Sequence, residues 1–392
     1  MTTTSNILSD FAWPHLKEED WRFTPLQGLK TSSFQPAAEG ADPGDLLSQF
    51  GIPDADGARL VFVDGHFRPA LSTLLDLPCE LRNFGDDLPA ELGRLAADSA
   101  NPFTRLNATH ASDGIILRIP RGSVIETPIH LVFLTVTPDA FVAPRILVIA
   151  ESASAGTLIE SHAGPDGLSY LSCPVVELQL ADAANIDHIK LQREGNQATH
   201  IADTHVDLQR DCVFSSHSIA LGGQLARNDV SAILAAEGIT CTLNGLFLSS
   251  DKQVSVNHTA LDHAMPNCNS FQIYKGILDD RARGVFNGRI LVREDAQKTS
   301  AEQTNRALLL SDDARVDSKP QLEIFADDVR CTHGATIGQL DPQALFYLRA
   351  RGIDRKTARG MLTYAFADDA VADIRVAPVL AEVEAILMSR FG

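Results

Sequence analysis

Between Gly114 and Ile337 the sequence contains no amphipathic helical pattern of ten or more residues. Short apolar runs recur there instead, with few gaps. Examples are Ile115-Ile116-Leu117, Leu131-Val132-Phe133-Leu134, Ile146-Leu147-Val148-Ile149, Val175 to Leu180, Leu243 to Leu248 and Leu322-Glu323-Ile324-Phe325. Many alternate apolar with polar residues, the period of two that marks strands. Roughly 220 residues of short strands without intervening helices leave a sandwich, a barrel or a β-helix. The short polar links and the lack of strong Asn-Gly hairpin turns favour a solenoid. Polar residues inside the runs (Asn244, Asn257, Thr259, Ser270, Asn287) suit the stacked ladders of a β-helix. Repeating sequence units are not visible, so the preference rests on texture.

The flanks read differently. The first hundred residues are rich in turn formers, including Gln35-Pro36, Asp42-Pro43-Gly44, Pro53-Asp54 and Asp64-Gly65. Leu60 to Val63 reads as one strand before the Asp64-Gly65 turn, Pro89 to Ala96 as the start of a short helix, and a second helical piece follows Asn101-Pro102. After Leu340, Asp341-Pro342 is an N-cap followed by proline, opening a helix that stops at Gly352. Asp354 caps a second, with Ala358, Met361, Leu362, Ala365 and Phe366 on one face. Pro378 opens a third, with Val379, Val383, Ile386 and Leu387 aligned. The expected organisation is an N-terminal helical and irregular region over 1–110, a β-helix core over 111–338 and a C-terminal helical domain over 339–392.

Charge narrows the partners. The 392 residues carry 33 Lys plus Arg against 51 Asp plus Glu, a formal net charge of -18. Such a chain repels nucleic acid and anionic membranes over most of its surface, and no basic amphipathic segment offsets this. The longest apolar stretch, Ile129 to Val136, is interrupted by His130 and Thr135 and is too short to span a bilayer. Of the 6 cysteines, the closest pair, Cys241 and Cys268, lie 27 residues apart. That spread is unlike a disulfide scaffold, and Met1 to Phe11 lacks the apolar run of a signal peptide. The expectation is a cytoplasmic protein with reduced thiols.

No Gly-Lys dipeptide occurs, so there is no Walker-type phosphate loop and no nucleotide is expected on this chain. The G-x-S-x-G, H-E-x-x-H, C-x-x-C and G-x-G-x-x-G signals of hydrolases, zincins, redox pairs and dinucleotide sites are also missing. The positive signal is Val329-Arg330-Cys331-Thr332-His333-Gly334-Ala335-Thr336. On a strand, Cys331 and His333 share a face with Cβ atoms about 6–7 Å apart. Thiolate plus imidazole suits iron or zinc, and thiolate favours iron–sulfur chemistry. A half-buried cysteine beside a satisfied histidine gives the same short pattern. His258 and His263 with Cys268, His200 and His205 around Asp203, and Cys212 before His217 read more simply as strand or loop residues. Asp279-Asp280, Asp312-Asp313 and Asp327-Asp328 read as solvated turns.

Over Tyr274 to Ala367 a series of segments carries a resemblance: Tyr274-Lys275-Gly276-Ile277, Gly284-Val285-Phe286-Asn287-Gly288, Ala301-Glu302-Gln303-Thr304-Asn305, Lys319-Pro320-Gln321-Leu322-Glu323-Ile324, the Cys331–His333 segment, and Leu345 to Ile353. With Glu19 to Leu26 and Asn101-Pro102-Phe103 upstream, the chain closely resembles the SufB/SufD family of the SUF iron–sulfur assembly system, on its SufD side. The resemblance implies a right-handed parallel β-helix between an N-terminal irregular region and C-terminal helices. It also implies a non-enzymatic scaffold subunit that pairs with SufB through the β-helix and binds the ATPase SufC through the helical domain. A sulfur donor would act through SufB. A transient iron–sulfur cluster or iron would sit at the SufB–SufD interface, with none permanent on the isolated chain. His333 is carried over as the ligand and Cys331 as a second candidate.

SufB-type chains carry a ligand cysteine upstream of this segment, whereas Thr299 to Ser311 here contains none. They also have a Glu-His pair where this chain has Thr332-His333. The chain could therefore not supply the full ligand set alone. A purely architectural β-helix with no metal role is the first rival reading. A polysaccharide-cleaving β-helix is the second, disfavoured by only 2 Trp and 4 Tyr. An exposed β-helix end would also allow a homodimer of the isolated chain.

Overall fold

A computed structural model describes residues 6–391 apart from 53, 54, 56, 85–87 and 112, so the Pro53-Asp54 turn lies outside the described residues. From Val175 onward each strand pairs in parallel with the strand two places further along the chain. In-register partners are 26 to 32 residues apart, from Thr199–Leu225 to Arg283–Arg315. The chain thus winds between two stacked sheets, and consecutive rungs lie about 4.8 Å apart. The result is a parallel β-solenoid, as the texture of the sequence predicts. Both Asn-Gly pairs lie inside strands, Asn244-Gly245 in Thr240–Ser249 and Asn287-Gly288 in Arg283–Val292, and neither makes a hairpin.

The repeat invisible in residue identity is visible in backbone conformation. One corner of the coil is turned by a left-handed residue at Ala153, Ala183, Asp211, Gly238, Asn267 and Lys298, a recurrence every 27–31 residues. Small or amide-bearing residues suit that conformation, but five residue types fill the six positions.

Alternation sends every second residue into the space between the sheets. There Leu117, Leu131, Val148, Leu158, Leu178, Ile186, Phe214, Leu234, Leu243, Phe286 and Ile290 form the main apolar core. Large side chains interlock with small ones on the next rung. Gly245 is in register with Tyr274, and a Cβ there would stand 2.3 Å from the Tyr274 ring. The outer faces are covered too, which explains the near-continuous apolar runs.

The N-terminal region covers the first sheet and also extends both sheets. Ala58–Val63 pairs in parallel with Ile129–Leu134, and Glu80–Asn83 pairs antiparallel with Gly114–Ile119. Pro102–His110 is the expected helix, capped by the Asn101 side chain accepting from the Phe103 N–H. Pro89 to Ala96, expected to open a helix, forms turns instead. The reason is tertiary: the buried Glu177 carboxylate accepts the N–H groups of Gly93, Leu95 and Ala96, which a helix would have turned to its own carbonyls.

At the other end, Asp341 and Asp354 cap Pro342–Ala350 and Arg355–Asp368 as expected. Val379, Val383 and Leu387 of Ala377–Phe391 are buried. They join Ile189, Leu191, Ile219, Leu246 and Ile277 on the outer face of the second sheet. The face expected for the middle helix is borne out in part, Ala358 being buried and Leu362 and Phe366 half-buried. Its buried residues are Ala358, Gly360, Thr363 and Ala367, while Met361 and Ala365 are exposed. Small residues let that helix approach closely, with Lys275 Nζ donating to Phe366 O at 2.7 Å and pairing with Asp369 at 2.7 Å. No described helix is long and apolar enough to cross a membrane.

Candidate functional site

The last rung of the second sheet is Arg330–Gly338, paired with Ser300–Leu309 so that Cys331 meets Ala301 and His333 meets Gln303. Both candidates lie on inward-pointing rows. Cys331 ends the row Ile186, Phe214, Cys241, Ser270, Ala301, and His333 ends the row Leu158, His188, Ser216, Leu243, Gln272, Gln303. The same-face expectation therefore holds. Because no further rung covers them, Cys331 is only partly buried against the core and His333 is exposed. Burial raises the Cys331 thiol, opposed by a hydrogen bond from the Ala301 backbone.

The facing strand, Arg315–Ile324, ends the first sheet and is equally open, with Pro320 at a position an edge strand tolerates. Ile324, Phe325 and Ile337 are 40, 65 and 52 % exposed along this end. The site is thus two donor side chains, one sulfur and one nitrogen, on an uncovered sheet end. Among the described residues no group of three or more His, Cys, Asp or Glu could hold a metal. The pair suits a thiophilic metal but is too few ligands to enclose one.

The other sequence clusters separate. His258 and His263 point to opposite sides of their strand. His263 bonds to Ser270 at 2.9 Å inside the coil, whereas His258 lies outside it beside Asp229. The Cys268 thiol donates to Ala236 O at 3.2 Å. His200 lies inside against Glu194 at 2.8 Å, and His205 outside against Asp203 at 3.0 Å. Cys212 packs in the core, and burial lowers His217. The three acidic pairs lie in turns, Asp328 paired with Lys298.

Sequence reasoning missed two polar assemblies. On the outer face of the first sheet, Glu177, Asp203 and Asp229 hold the N-terminal region. Asp203 takes hydrogen bonds from Ser99 and Thr104, Asn101 donates to Asp229, and Arg145 pairs with Glu177 at 2.8 Å. Arg227 lies 3.8 Å from the Trp21 ring centroid and pairs with Asp229 at 2.8 Å. A cavity of about 520 Å³ lies beside these groups, which are mostly engaged with one another. Inside the coil, Glu160 holds His162, His188 at 3.1 Å and Lys190 at 3.9 Å. Burial opposes the Glu160 charge, but Lys190 and then the two histidines hold its carboxyl well below the usual range. The alternation of Glu160, His162, His188 and Lys190 with apolar neighbours was the available signal. It resembles that of a solvated strand face.

Comparison with known proteins places the chain in a family. The family description "SUF system FeS cluster assembly, SufBD core domain" matches residues 133–366, which span most of the coil and end in the middle C-terminal helix. The chain belongs to the SufB/SufD family. It is 36% identical over 369 residues to the iron–sulfur cluster assembly protein SufD of Escherichia coli, covering 92% of this chain and 85% of that protein. It is 33% identical over 392 residues to an iron–sulfur cluster assembly SufBD family protein of Synechocystis, covering 95% and 86%. A chloroplastic Arabidopsis thaliana protein, ABCI7, is 30% identical, covering 94% and 81%. Membership supports a role for the chain in iron–sulfur cluster assembly, with the Cys331–His333 rung inside the matched span.

Proposed function

We propose that this chain is a non-catalytic, cytoplasmic scaffold subunit of a SufB–SufC–SufD assembly. His333, with Cys331 beside it, contributes to a site where iron and sulfide meet on a partner SufB chain. The observation that carries this reading is the open end rung: two soft or borderline donors on the last inward rows are left uncovered at a sheet end that lacks a third ligand among the described residues. A SufB chain docked there would supply the rest and cover the strand edges. The cluster is cargo, formed at the junction and passed on, with sulfur delivered through SufB.

The C-terminal helices would receive the ATPase SufC. Pro342–Ala350 has no buried residue, and its Phe346 and Tyr347 are 73 and 55 % exposed. The next two helices are packed on the second sheet, the sheet that ends in Cys331 and His333. A displacement imposed on the helices by ATP hydrolysis in SufC would thus load the sheet carrying the donors.

Co-expression with SufB and SufC, with and without His333→Ala, followed by iron and sulfide quantitation, tests the reading. An intact complex that loses iron and sulfide in the variant supports it. Unchanged loading would make the chain an architectural partner and remove His333 from the site.

A further inference from the structure

One rung beneath His333, the inward row holds a chain of amides with a fixed direction. Thr259 Oγ1 donates to Gln272 Oε1 at 3.2 Å, and Gln303 Nε2 donates to the same oxygen at 2.7 Å. Both donors converge on one acceptor, so the Gln303 amide has its nitrogen committed inward. Its Oε1 is buried without a hydrogen-bond partner among the described residues, and the residue is 1 % exposed. A buried acceptor left unused keeps its desolvation penalty and so marks a place where a donor belongs. Gly288, on the facing sheet, makes room for this amide, since a Cβ there would stand 2.4 Å from Gln303 Nε2.

The in-register neighbour of Gln303 on the open side is His333, about 4.8 Å along the stack. Asn305, two residues on, is already used, accepting from Ser318 Oγ at 2.7 Å and donating to Tyr274 O at 3.2 Å. An imidazole that gives its N–H to a fixed acceptor has its tautomer set, and the other ring nitrogen then presents a lone pair.

We propose that Gln303 is the positioning residue of His333: its side-chain oxygen accepts the imidazole N–H, so that the other ring nitrogen is presented at the open end. The Thr259–Gln272–Gln303 relay holds the acceptor in place. The consequence for metal loading rests on the reading of His333 as a ligand, but the hydrogen bond itself does not.

The test is nitrogen-15 NMR of the full chain labelled at histidine, with His333→Gln used to assign the ring signals. The native protein is expected to show a His333 ring N–H proton protected from exchange with water. Gln303→Leu, similar in size and without an acceptor, should lose that signal. Gln303→Glu should keep it, because Gln272 can turn its own unpartnered Nε2 to the new carboxylate. Backbone spectra that match the native protein establish that each variant is folded. An absent signal in the native chain, or its survival in folded Gln303→Leu, overturns the proposal. In the SufB–SufC complex, Gln303→Leu should lower iron affinity about 10-fold, with recovery in Gln303→Glu. Normal loading in His333→Ala alongside the native N–H signal would sink the ligand reading while leaving the hydrogen bond standing.

Discussion

Replacing Glu160 with leucine tests whether charge holds the polar section of the solenoid interior. The carboxylate is fully buried, as are its partners His162, His188 and Lys190, none more than 3 % exposed. After the substitution, Asn228 Oδ1 at 3.2 Å is the hydrogen-bond acceptor left to the Lys190 ammonium among the described residues, with Glu194, Asp229 and Asp203 acting on its charge from further off. Breaking a buried pair on one side costs about 3–5 kcal/mol, because the stranded charge keeps its desolvation penalty. Burial already lowers Lys190, and Glu160 is the strongest group acting against it. Without Glu160 the lysine will shed its proton more easily, so the loss should be smaller at pH 9 than at pH 6. Adding Lys190→Met removes the stranded charge and should restore at least half of the loss. Guanidinium unfolding reads the total. Hydrogen exchange over Ala155–Ala163 and Asn185–Arg193 reads the local effect, since solenoid rungs couple mainly to their neighbours. A loss under about 1 kcal/mol in Glu160→Leu would refute the reasoning. So would a double variant no better than the single.

Acid should weaken the interior through His200 and His263, which burial holds down at about 4 against Glu194 and Asp262 respectively. Unfolded histidine takes its proton near 6.5, so the unfolded chain binds more protons and stability falls as pH drops from about 6.5 to about 4. Each histidine should remove about 2 kcal/mol by pH 5, and His263→Asn should flatten the urea midpoint between pH 7 and 5. Arg227→Met removes the contact with Trp21, the hydrogen bonds to Asp20 O and Thr24, and the ion pair with Asp229. It should cost about 3–5 kcal/mol and speed proteolysis within the first 110 residues. Phe346→Ser with Tyr347→Ser should leave the unfolding midpoint within about 0.5 kcal/mol but weaken SufC capture at least tenfold; unchanged capture would place the SufC contact elsewhere.

The legible features were local. Asp341 and Asp354 act as caps because an N-cap is made by one side chain and the next turn of backbone. Cys331 and His333 share a face because alternation is a property of any strand. Where distant groups competed, the local reading failed. The turns at Pro89 to Ala96 are dictated by Glu177, more than eighty residues away. The middle C-terminal helix keeps Ala358 buried as expected but buries Gly360, Thr363 and Ala367 in place of Met361, because close approach to the sheet favoured small side chains.

By itself, the sequence determined the strand content, the C-terminal helices, the family and the shared face of Cys331 and His333, since these depend on period, neighbouring residues and matched segments. Tertiary structure alone decided that His333 ends a polar row running back through Gln303 and Gln272, and that Glu160 finds two histidines and a lysine. His162 comes from the same strand as Glu160, but His188 and Lys190 come from the next rung, about thirty residues on, brought alongside by coil geometry. The register of a solenoid is a sum over many corners, and no short stretch of sequence states it.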